Sequence, residues 1–413
     1  MASKLKSSSY HRAGALGDGS FGSVMIVYND LGVEFAQKVF DEVDEEDEDY
    51  NGSIDLGVFR ELATLRLLMP PHGHPNIMPI EDIVVDEYIS LIMPKYVMNL
   101  SDAIKTQHVK KGPARVKVAH GLLSALTHLH DNNIVHRDVK TENVMLDEND
   151  TPILIDFSLA KVFTSAEAME EATHTGNIGS ACYIAPECYR SEHYGAKVDA
   201  YSAGVICLEL FNGKRLLMER DKAAFVEVEK LVGGLDLSKP FPEVIAKLLK
   251  QDADERSSCR EVLEGCEIWK KNKLEVPEVI SFLDNAFLSV RPIQKSEKMS
   301  SVDMTLFRRL VGLLEIEEDM TVTAAKIYKL VTTEKMSIGY CLLLAAKIYE
   351  KEGAMNFDDA SEAMEGVGES CDIDEYCAAE LEILEAMHFC LFVSESENLG
   401  QDKTGRPKKK ARK

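Results

Sequence analysis

The sequence lacks long apolar runs and paired cysteines. Its longest apolar run, CLLLAA at residues 341–346, is far shorter than the ~20 residues that a membrane-spanning helix needs. The nine cysteines are irregularly spaced without a CxxC pair, and the N-terminal stretch MASKLKSSSYHR contains no hydrophobic leader. These absences predict an intracellular protein in a reducing setting, with no membrane anchor and no disulfide framework.

Positive charge is also scarce. The chain has 47 Lys and Arg residues against 70 Asp and Glu residues, which gives a net charge of −23. Such a body repels nucleic acid, so basic or neutral partners fit it better. The last residues, GRPKKKARK at 405–413, invert the sign and are interpreted as a separate tail. A nuclear import signal, which predicts a nuclear location and contact with the import machinery, is favoured over a nucleic-acid-binding arm and a solubilising end.

The hydrophobic pattern predicts two globular parts. The chain has 413 residues, 45% of them hydrophobic, which is enough for two or three domains. Strand-like patterns at 10–40 and 81–96 flank a helix-like pattern at 54–69, and helix-like patterns dominate beyond residue 100. The predicted boundaries are 10–95 for a sheet lobe, 96–272 for a larger helical lobe, 273–302 for a linker, 303–395 for a second helical unit and 396–413 for the tail.

A glycine-rich stretch, GDGSFGSV, lies between two strand-like segments. Gly17, Gly19, Gly22 and Val24 form a GxGxxGxV pattern. Glycines allow backbone amides to approach phosphate oxygens without a Cβ in the way. The pattern alone is weak evidence for phosphate binding. A dinucleotide-binding fold is disfavoured, because it requires a helix after the glycines and a strand-like run follows here.

Lys38 lies in that next strand-like run, FAQKVF. A buried or half-buried amine needs an anionic partner. Glu61, on the predicted helix, can supply one such partner, and the α- and β-phosphates of a nucleotide can supply another. The sequence therefore indicates a phosphate-binding lysine with a carboxylate beside it.

The stretch IVHRDVKTENVML at 134–146 concentrates charge between short apolar flanks. Asn143 and Asp156, which follows the strand-like run TPILI, offer oxygen ligands suited to Mg²⁺ on a polyphosphate. Asp138 can orient or deprotonate an attacking hydroxyl, and Lys140 can neutralise charge on the migrating phosphoryl group. This combination predicts a phosphoryl-transfer site.

Together these motifs resemble the protein kinase family. The glycine-rich loop, the strand lysine, HRDVKTEN (136–143), DFS (156–158), APE (185–187) and DAYSAG (199–204) occur in that family's order and spacing. The resemblance covers about residues 10–270 and implies an α+β, bilobal kinase fold with a β-rich N-lobe and a helical C-lobe. It also implies ATP and Mg²⁺ as cofactors and proteins as substrates.

The resemblance assigns roles to these residues. Lys38 and Glu61 are expected to form the ion pair of the active state, Asp138 to act as catalytic base, and Asn143 and Asp156 to hold metal. The remaining expected roles are gatekeeper for Met93, adenine-holding hinge for the segment that includes Tyr96, an ion pair between Glu187 and Arg256, and anchoring of the catalytic loop by Asp199.

Two details refine the resemblance to protein kinases. Lys140, two residues after Asp138, is typical of serine/threonine kinases. Ser158 stands where the family's DFG motif has a glycine, whose freedom at positive φ helps the loop to flip. We expect altered switching with the chemistry retained, because Asp156 is unchanged. The alternative is a pseudokinase or scaffold, which the presence of every reacting group disfavours.

A regulatory phosphate is also expected from the resemblance. In kinases activated by phosphorylation, basic groups at the positions of Arg60, Arg137 and Lys161 converge on one phosphate. Thr175 lies where cyclin-dependent kinases carry their activating threonine, and Thr173 is its rival. The alternative is an unmodified loop threonine near surface charges.

Other positions match cyclin-dependent kinases only loosely. Ser20 and Phe21 stand where that group often has an inhibitory Thr-Tyr pair, so only Ser20 can carry such a phosphate. Ile184 replaces the arginine expected before APE, which makes proline-directed specificity uncertain.

The second helical unit reads as five helices, which by default form a bundle. The stretches CLLLAAKIYE and AELEILEAMHFCLFVSE are similar to the third and fifth helices of a cyclin box, and Lys347 and Glu380 match its kinase-contacting positions. LVGLL departs from the common LVDWL of the first helix. The resemblance implies an all-α cyclin-like domain that activates the kinase in the same chain.

Competing hypotheses remain for this unit. It can instead recruit substrates, or separate kinases and other cell-cycle proteins of a host cell, or it can activate a second copy within a dimer. The fusion of kinase and cyclin-like domains is unusual for cellular chains and makes a large DNA virus a plausible source.

Overall fold

The computed structural model describes residues 10–19, 22–40, 55–69, 73–85, 88–109, 112–163, 166–170, 182–189, 195–216 and 223–275. The predicted cyclin-like domain and the basic tail lie outside the described residues, as does the predicted linker beyond residue 275. No helix in the described ranges is both long and apolar enough to cross a membrane.

A five-stranded antiparallel sheet forms the N-lobe. Its strands follow the order β1-β2-β3-β5-β4 across the sheet. They are β1 (His11–Gly19), β2 (Gly22–Tyr28), β3 (Glu34–Phe40), β4 (Asp82–Val85) and β5 (Ile89–Pro94). The register places Lys38 of β3 opposite Val24 of β2 on one side and Leu91 of β5 on the other. The central position of β3 buries the second half of this strand, and it holds Lys38 in the middle of the sheet.

Helix α1 (Leu56–Leu67) is the helix predicted at 54–69. Its N-cap is Asp55, whose side chain accepts hydrogen bonds from the backbone N–H groups of Gly57 and Val58, so two otherwise unpaired amides are satisfied. The buried residues of α1 include Val58, Phe59, Leu62, Ala63 and Leu65. Glu61 lies among these apolar residues and is itself only 1% exposed.

The C-lobe is mainly helical, as predicted. Its helices are α2 (Leu100–Lys105), α3 (Pro113–Asp131), α4 (Ala166–Glu170), α5 (Lys197–Asn212), α6 (Ala223–Gly233), α7 (Pro240–Leu248), α8 (Cys259–Gly265) and α9 (Glu267–Lys271). Short strands support the loops between them: β6 (Met98–Asn99), β7 (Ile134–Val135), β8 (Val144–Leu146), β9 (Pro152–Leu154) and β10 (Lys161–Val162). Strand β8 pairs with both β6 and β9, and β7 pairs with β10.

Helix α5 forms the centre of the C-lobe. It is buried along almost its whole length, and its buried residues include the carboxylates Asp199 and Glu209 as well as apolar side chains. A Cβ on Gly204 would lie 2.8 Å from Leu248 Cβ, so α5 and α7 approach each other closely at this glycine. The helix ends at Gly213, whose left-handed conformation (φ +66°) allows its N–H to bond the Glu209 carbonyl. This core helix therefore offers a rigid support to the loops that pack on it.

A pair of stacked histidines joins α3 to the segment before β4. The rings of His74 and His128 lie 5.1 Å apart, and the Asn76 N–H donates to His74 Nδ1. Burial, together with the neighbouring His128 and His120, lowers the pKa of His74 to about 4. His74 is therefore neutral at physiological pH.

This low pKa predicts loss of stability in acid. The unfolded histidine takes up a proton near pH 6.5, whereas folded His74 resists protonation down to about pH 4. The contribution of neutral His74 to the free energy of unfolding is therefore fully present above pH 6.5, and about 3 kcal/mol of it is lost as pH falls from 6.5 to 4. Denaturant unfolding at several pH values should show a flatter profile for His74→Asn, which keeps an acceptor for Asn76 and does not titrate. Parallel profiles for the two proteins would contradict this assignment.

Candidate active site

The structure brings Lys38 and Glu61 together. Lys38 Nζ lies 2.5 Å from Glu61 Oε2, and the two side chains are 9% and 1% exposed. Burial alone would lower the pKa of Lys38, but the negative charges of Glu61 and Asp156 outweigh it, so this pKa lies above its usual range. The strand amine therefore stays charged inside the cleft, where it can bind phosphate oxygens.

Asp156 meets the same lysine from the C-lobe side. It follows β9 in the left-handed conformation (φ +64°), and its Oδ1 lies 3.8 Å from Lys38 Nζ. Burial would raise the pKa of Asp156, but Lys38 and the hydroxyl of Ser158 lower it below its usual range. Asp156 is therefore a carboxylate, as a metal ligand must be.

The loop after β7 carries Asp138, Lys140 and Asn143. Asp138 Oδ2 accepts hydrogen bonds from Lys140 Nζ at 2.6 Å and from Asn143 Nδ2 at 3.0 Å. Asn143 Nδ2 also donates to the Asp138 carbonyl at 2.9 Å, which closes the loop on itself. The Ile155 N–H donates to the Asn143 carbonyl, so the residue before Asp156 is tied directly to this loop. These bonds bring all four C-lobe groups predicted from the sequence into one site.

Asp199 at the start of α5 supports this loop. Its carboxylate accepts hydrogen bonds from the backbone N–H groups of His136 and Arg137, at 2.8 and 2.9 Å, and it contacts His130 Nε2 at 2.9 Å. Burial would raise the pKa of Asp199, but these partners hold it below its usual range. The ring of His136 also packs on Phe157, with centroids 4.9 Å apart. The loop is thus fixed to the core helix on one side and to the DFS segment on the other.

The predicted nucleotide-binding residues lie on the N-lobe sheet and at its end. Gly17 and Gly22 have φ values of +154° and +136°. No neighbour would touch a Cβ on Gly17, so its backbone conformation, not lack of space, favours glycine. Val24 lies opposite Lys38 in the sheet, and Met93 lies opposite Ala36 near the end of β5. Tyr96 is half-buried just after β5, and Gly19 ends β1.

The oxygens available to a metal ion fit Mg²⁺ bound to a nucleotide. Asn143 Oδ1 and Asp156 Oδ2 accept no hydrogen bond from the described residues, because Asn143 uses its Nδ2 and Asp156 its Oδ1 for protein contacts. No group of three or more His, Cys, Asp or Glu side chains in the described part of the chain could hold a metal. Mg²⁺ bound with a nucleotide typically uses one or two protein carboxylates, together with waters and phosphate oxygens.

The expected regulatory positions are only partly described. Thr175, Thr173 and Ser20, with its neighbour Phe21, lie outside the described residues. Arg60 lies on α1 and is partly exposed. The structure describes no phosphate site at these positions, so activation-loop phosphorylation stays a prediction.

The two other basic residues of the predicted cluster make local contacts. Arg137 has a left-handed backbone (φ +65°), and its guanidinium donates to the carbonyl oxygens of Leu159 at 2.6 Å and Ala160 at 3.5 Å. Lys161 pairs with Val135 in the β7–β10 ladder. Arg137 is therefore connected to the residues directly after the DFS segment without any phosphate.

Sequence reasoning missed a polar network behind the catalytic loop. Thr141 Oγ1 lies 2.9 Å from the Tyr183 hydroxyl, which donates to Glu209 Oε2 at 3.0 Å. Arg215 donates to the same hydroxyl at 3.3 Å and pairs with Glu142 at 2.6 Å. Thr141 and Glu142 lie inside the HRDVKTEN motif, but no spacing in the sequence identified Tyr183, Glu209 or Arg215 as their partners. The network joins the catalytic loop to α5 and to the segment before APE.

Glu209 is the most buried carboxylate of this network. Burial raises its pKa to about 7, although hydrogen bonds from the Leu216 N–H and Tyr183 and the charge of Arg215 oppose the shift. The carboxyl group is therefore partly protonated near neutral pH.

The predicted ion pair of Glu187 and Arg256 is present and bidentate. The two nitrogen–oxygen distances are 2.5 and 2.9 Å. Arg256 also donates to the carbonyl oxygens of Lys197 and Lys250, and it lies 4.9 Å above the ring of Tyr201. The side chain of Arg256 is 0% exposed and that of Glu187 is 4% exposed. This pair fixes the APE segment to the helical lobe.

The site combines two lobes. The sheet lobe supplies a paired lysine, and the helical lobe supplies Asp138, Asn143 and Asp156. This arrangement defines the class of bilobal kinases. The family model described as protein kinase domain matches residues 10–265. The chain therefore belongs to the protein kinase family, which confirms the resemblance found in its motifs and the predicted bilobal fold of this part.

Several curated serine/threonine kinases are similar to the chain. CBL-interacting serine/threonine-protein kinase 21 of Arabidopsis thaliana is 33% identical over 208 residues, which cover 49% of this chain and 47% of that protein. Serine/threonine-protein kinase DCLK3 of Mus musculus is 29% identical over 277 residues, covering 62% of this chain and 32% of that protein. Serine/threonine-protein kinase ULK3 of Xenopus laevis is 31% identical over 210 residues, covering 48% and 43%. The chain thus spans less than half the length of these relatives.

Proposed function

We propose that this protein is an ATP-dependent serine/threonine kinase that transfers the γ-phosphoryl group of ATP to protein hydroxyl groups. The observation that carries the proposal is the contact of Lys38 with both Glu61 at 2.5 Å and Asp156 at 3.8 Å, which joins the two lobes around one cleft. Phosphoryl transfer depends mainly on positioning and charge neutralisation, and this cleft provides both. The names of the similar proteins support the choice of serine and threonine as acceptors.

In the proposed reaction each group has one task. Lys38 binds the nucleotide phosphates, and Glu61 holds the lysine in place. Asp138 accepts the proton of the attacking hydroxyl, while Lys140 neutralises charge on the transferred group. Mg²⁺, when bound with ATP, supplies positive charge to the phosphates, and Asn143 and Asp156 are the residues that would hold it.

The competing pseudokinase or scaffold reading is not favoured. It requires at least one reacting group to be missing or displaced. In the described residues, Lys38 contacts both Glu61 and Asp156. Asp138 is linked to the segment of Asp156 through Asn143 and Ile155. The charge-carrying side chains are therefore arranged for turnover and not merely for binding.

A transfer assay tests the proposal. Purified full-length protein is incubated with labelled ATP, Mg²⁺ and a library of peptides, and the phosphorylated amino acids are identified. We expect phosphoserine and phosphothreonine, since Lys140 follows the serine/threonine pattern. Transfer to tyrosine alone, or none under any condition that preserves ATP binding, would contradict the proposal.

We further propose that the cyclin-like domain at 303–395 activates the kinase, through the partner-contacting residues Lys347 and Glu380, and that Thr175 phosphorylation completes activation. Support comes from the similarity to cyclin-box helices and from the position of Thr175 before APE. In the described residues, the target of such a domain is α1, because movement of this helix would separate Glu61 from Lys38.

Removing residues 300–395 is expected to lower the specific activity at least about tenfold, since an unsupported α1 populates the active position less often. Lys347→Ala and Glu380→Ala in the full chain should give smaller losses in the same direction. Thermal unfolding of the truncated protein shows whether the kinase domain remains folded. Undiminished turnover by the folded truncation would favour a recruitment module. A specific activity that rises with protein concentration would favour activation between two copies.

A further inference from the structure

The DFS segment contains a hydrogen bond that a DFG segment cannot form. Ser158 Oγ donates to Asp156 Oδ1 at 2.7 Å, and Ser158 is 3% exposed. We propose that Ser158 is a positioning residue, whose hydroxyl fixes the Asp156 carboxylate so that Oδ2 remains directed to the metal of a bound nucleotide. This inference rests on the proposed kinase function and adds to it a residue that sets metal affinity.

The backbone of the segment explains why a serine is tolerated here. Among the described residues with positive φ are Arg137 and Asp156, but Ser158 is not among them. The left-handed position of the turn is therefore Asp156 itself, and the residue two positions later needs no glycine in this conformation. The expected cost of replacing the glycine is thus absent in the described state, and the hydroxyl is available for a contact.

The hydroxyl provides the short bond in this turn. The backbone N–H of Ser158 also points to Asp156 Oδ1, but at 3.5 Å, which is at the limit for a hydrogen bond. The Oγ–Oδ1 distance of 2.7 Å is typical of a hydroxyl donating to a carboxylate. Without the hydroxyl, the carboxylate would keep only the long backbone contact and the 3.8 Å approach of Lys38 Nζ.

Lys38 does not replace the hydroxyl in this arrangement, because its Nζ lies 3.8 Å from Asp156 Oδ1, too far for a hydrogen bond. Its short contact is with Glu61, at 2.5 Å. A carboxylate held at Oδ1 by a fixed donor can rotate less about its terminal torsion, so its Oδ2 stays in place as a ligand. Groups that orient metal ligands in this way commonly change metal affinity by about 10- to 100-fold when they are removed.

The test separates metal affinity from folding and from turnover. Ser158→Ala removes the hydroxyl and keeps the Cβ, whereas Ser158→Thr keeps the hydroxyl and serves as the matched control. In the full-length protein, Mn²⁺ binding in the presence of a non-hydrolysable ATP analogue is measured by electron paramagnetic resonance, and the rate of transfer is measured against free Mg²⁺. We expect about tenfold weaker Mn²⁺ binding and a tenfold higher half-saturating Mg²⁺ for Ser158→Ala.

The maximal rate at saturating Mg²⁺ should stay within about twofold, and Ser158→Thr should bind metal like the natural protein. Superimposable metal titrations of the natural protein and Ser158→Ala would overturn the proposal. The proposal would also be overturned if the maximal rate of Ser158→Ala stayed low at saturating metal and its melting temperature were lower, because this combination indicates a purely structural role. Should Ser158→Ala not fold, Ser158→Gly takes its place with the same expectations.

The two proposals fail in different ways. Mn²⁺ binding is read without turnover, so the Ser158 comparison remains decisive even if the natural protein transfers no phosphate. Absence of transfer with a clear difference in Mn²⁺ binding would reject the kinase activity alone. Transfer that shows the same Mg²⁺ dependence in both proteins would reject the role of Ser158 alone.

Discussion

Replacing Asp138 with asparagine is expected to lower kcat for phosphoryl transfer by about 10²- to 10⁴-fold, the usual contribution of a general base. Asparagine has the same size and keeps an oxygen that can accept the hydrogen bonds of Lys140 and Asn143. It cannot accept a proton from the attacking hydroxyl. The change should therefore affect the chemical step and leave the cleft intact.

The control for this variant is Asp150→Asn. Asp150 is a solvent-accessible aspartate with φ +57°, a conformation that asparagine also tolerates, and its side chain contacts the exposed His108. Steady-state kinetics and ATP-analogue binding are measured for both variants. We expect Asp150→Asn to match the natural protein, and Asp138→Asn to keep its nucleotide affinity. A kcat within tenfold of the natural value would assign the base to another group.

Replacing Arg256 with methionine is expected to lower the free energy of unfolding by about 3–5 kcal/mol, because it leaves the Glu187 carboxylate buried without its counter-ion. The change also removes donors from the carbonyl oxygens of Lys197 and Lys250. For a domain of this size, the melting temperature should fall by about 10 °C. Differential scanning calorimetry measures both quantities.

The matched control removes both charges. Arg256→Met combined with Glu187→Gln replaces the ion pair by two neutral side chains of similar size, so most of the lost stability should return. If the single variant loses less than about 1 kcal/mol, the carboxylate must find another partner or a proton. Equal losses in the single and double variants would place the main effect in the carbonyl contacts of Arg256 and not in the ion pair.

Much of the candidate site was predictable because its chemistry needs specific residue types at fixed separations. Lys38 had to lie on a central strand, and Glu61 on a helix beside it, for the charges to neutralise each other in a buried place. The loop with Asp138 and Asn143 closes over five residues, so its internal bonds follow from local spacing. The strand patterns likewise indicated the sheet, since β-branched and apolar residues alternate or cluster there.

The parts that escaped prediction depend on contacts between distant segments. Tyr183 contacts Thr141 across 42 positions, and Arg215 reaches Ser101 across 114. Arginine and glutamate are mostly exposed and tyrosine is intermediate in burial, so these residue types alone do not indicate a shared buried network. Ser158 was recognised as a departure from the family pattern, but the expected effect was altered switching of the loop, caused by the loss of the conformational freedom of glycine. The hydroxyl bond to Asp156 became visible only in three dimensions.

The attachment of the catalytic loop to Asp199 has a consequence for its motions. The amides of His136 and Arg137 donate to a carboxylate that sits at the first turn of the central helix and is completely shielded from water. Their protons can be replaced by deuterium only when these hydrogen bonds break and water reaches the buried carboxylate, so we expect their exchange to be slow. We therefore expect the loop proposed to perform the chemistry to fluctuate with the hydrophobic interior and not with the surface around it.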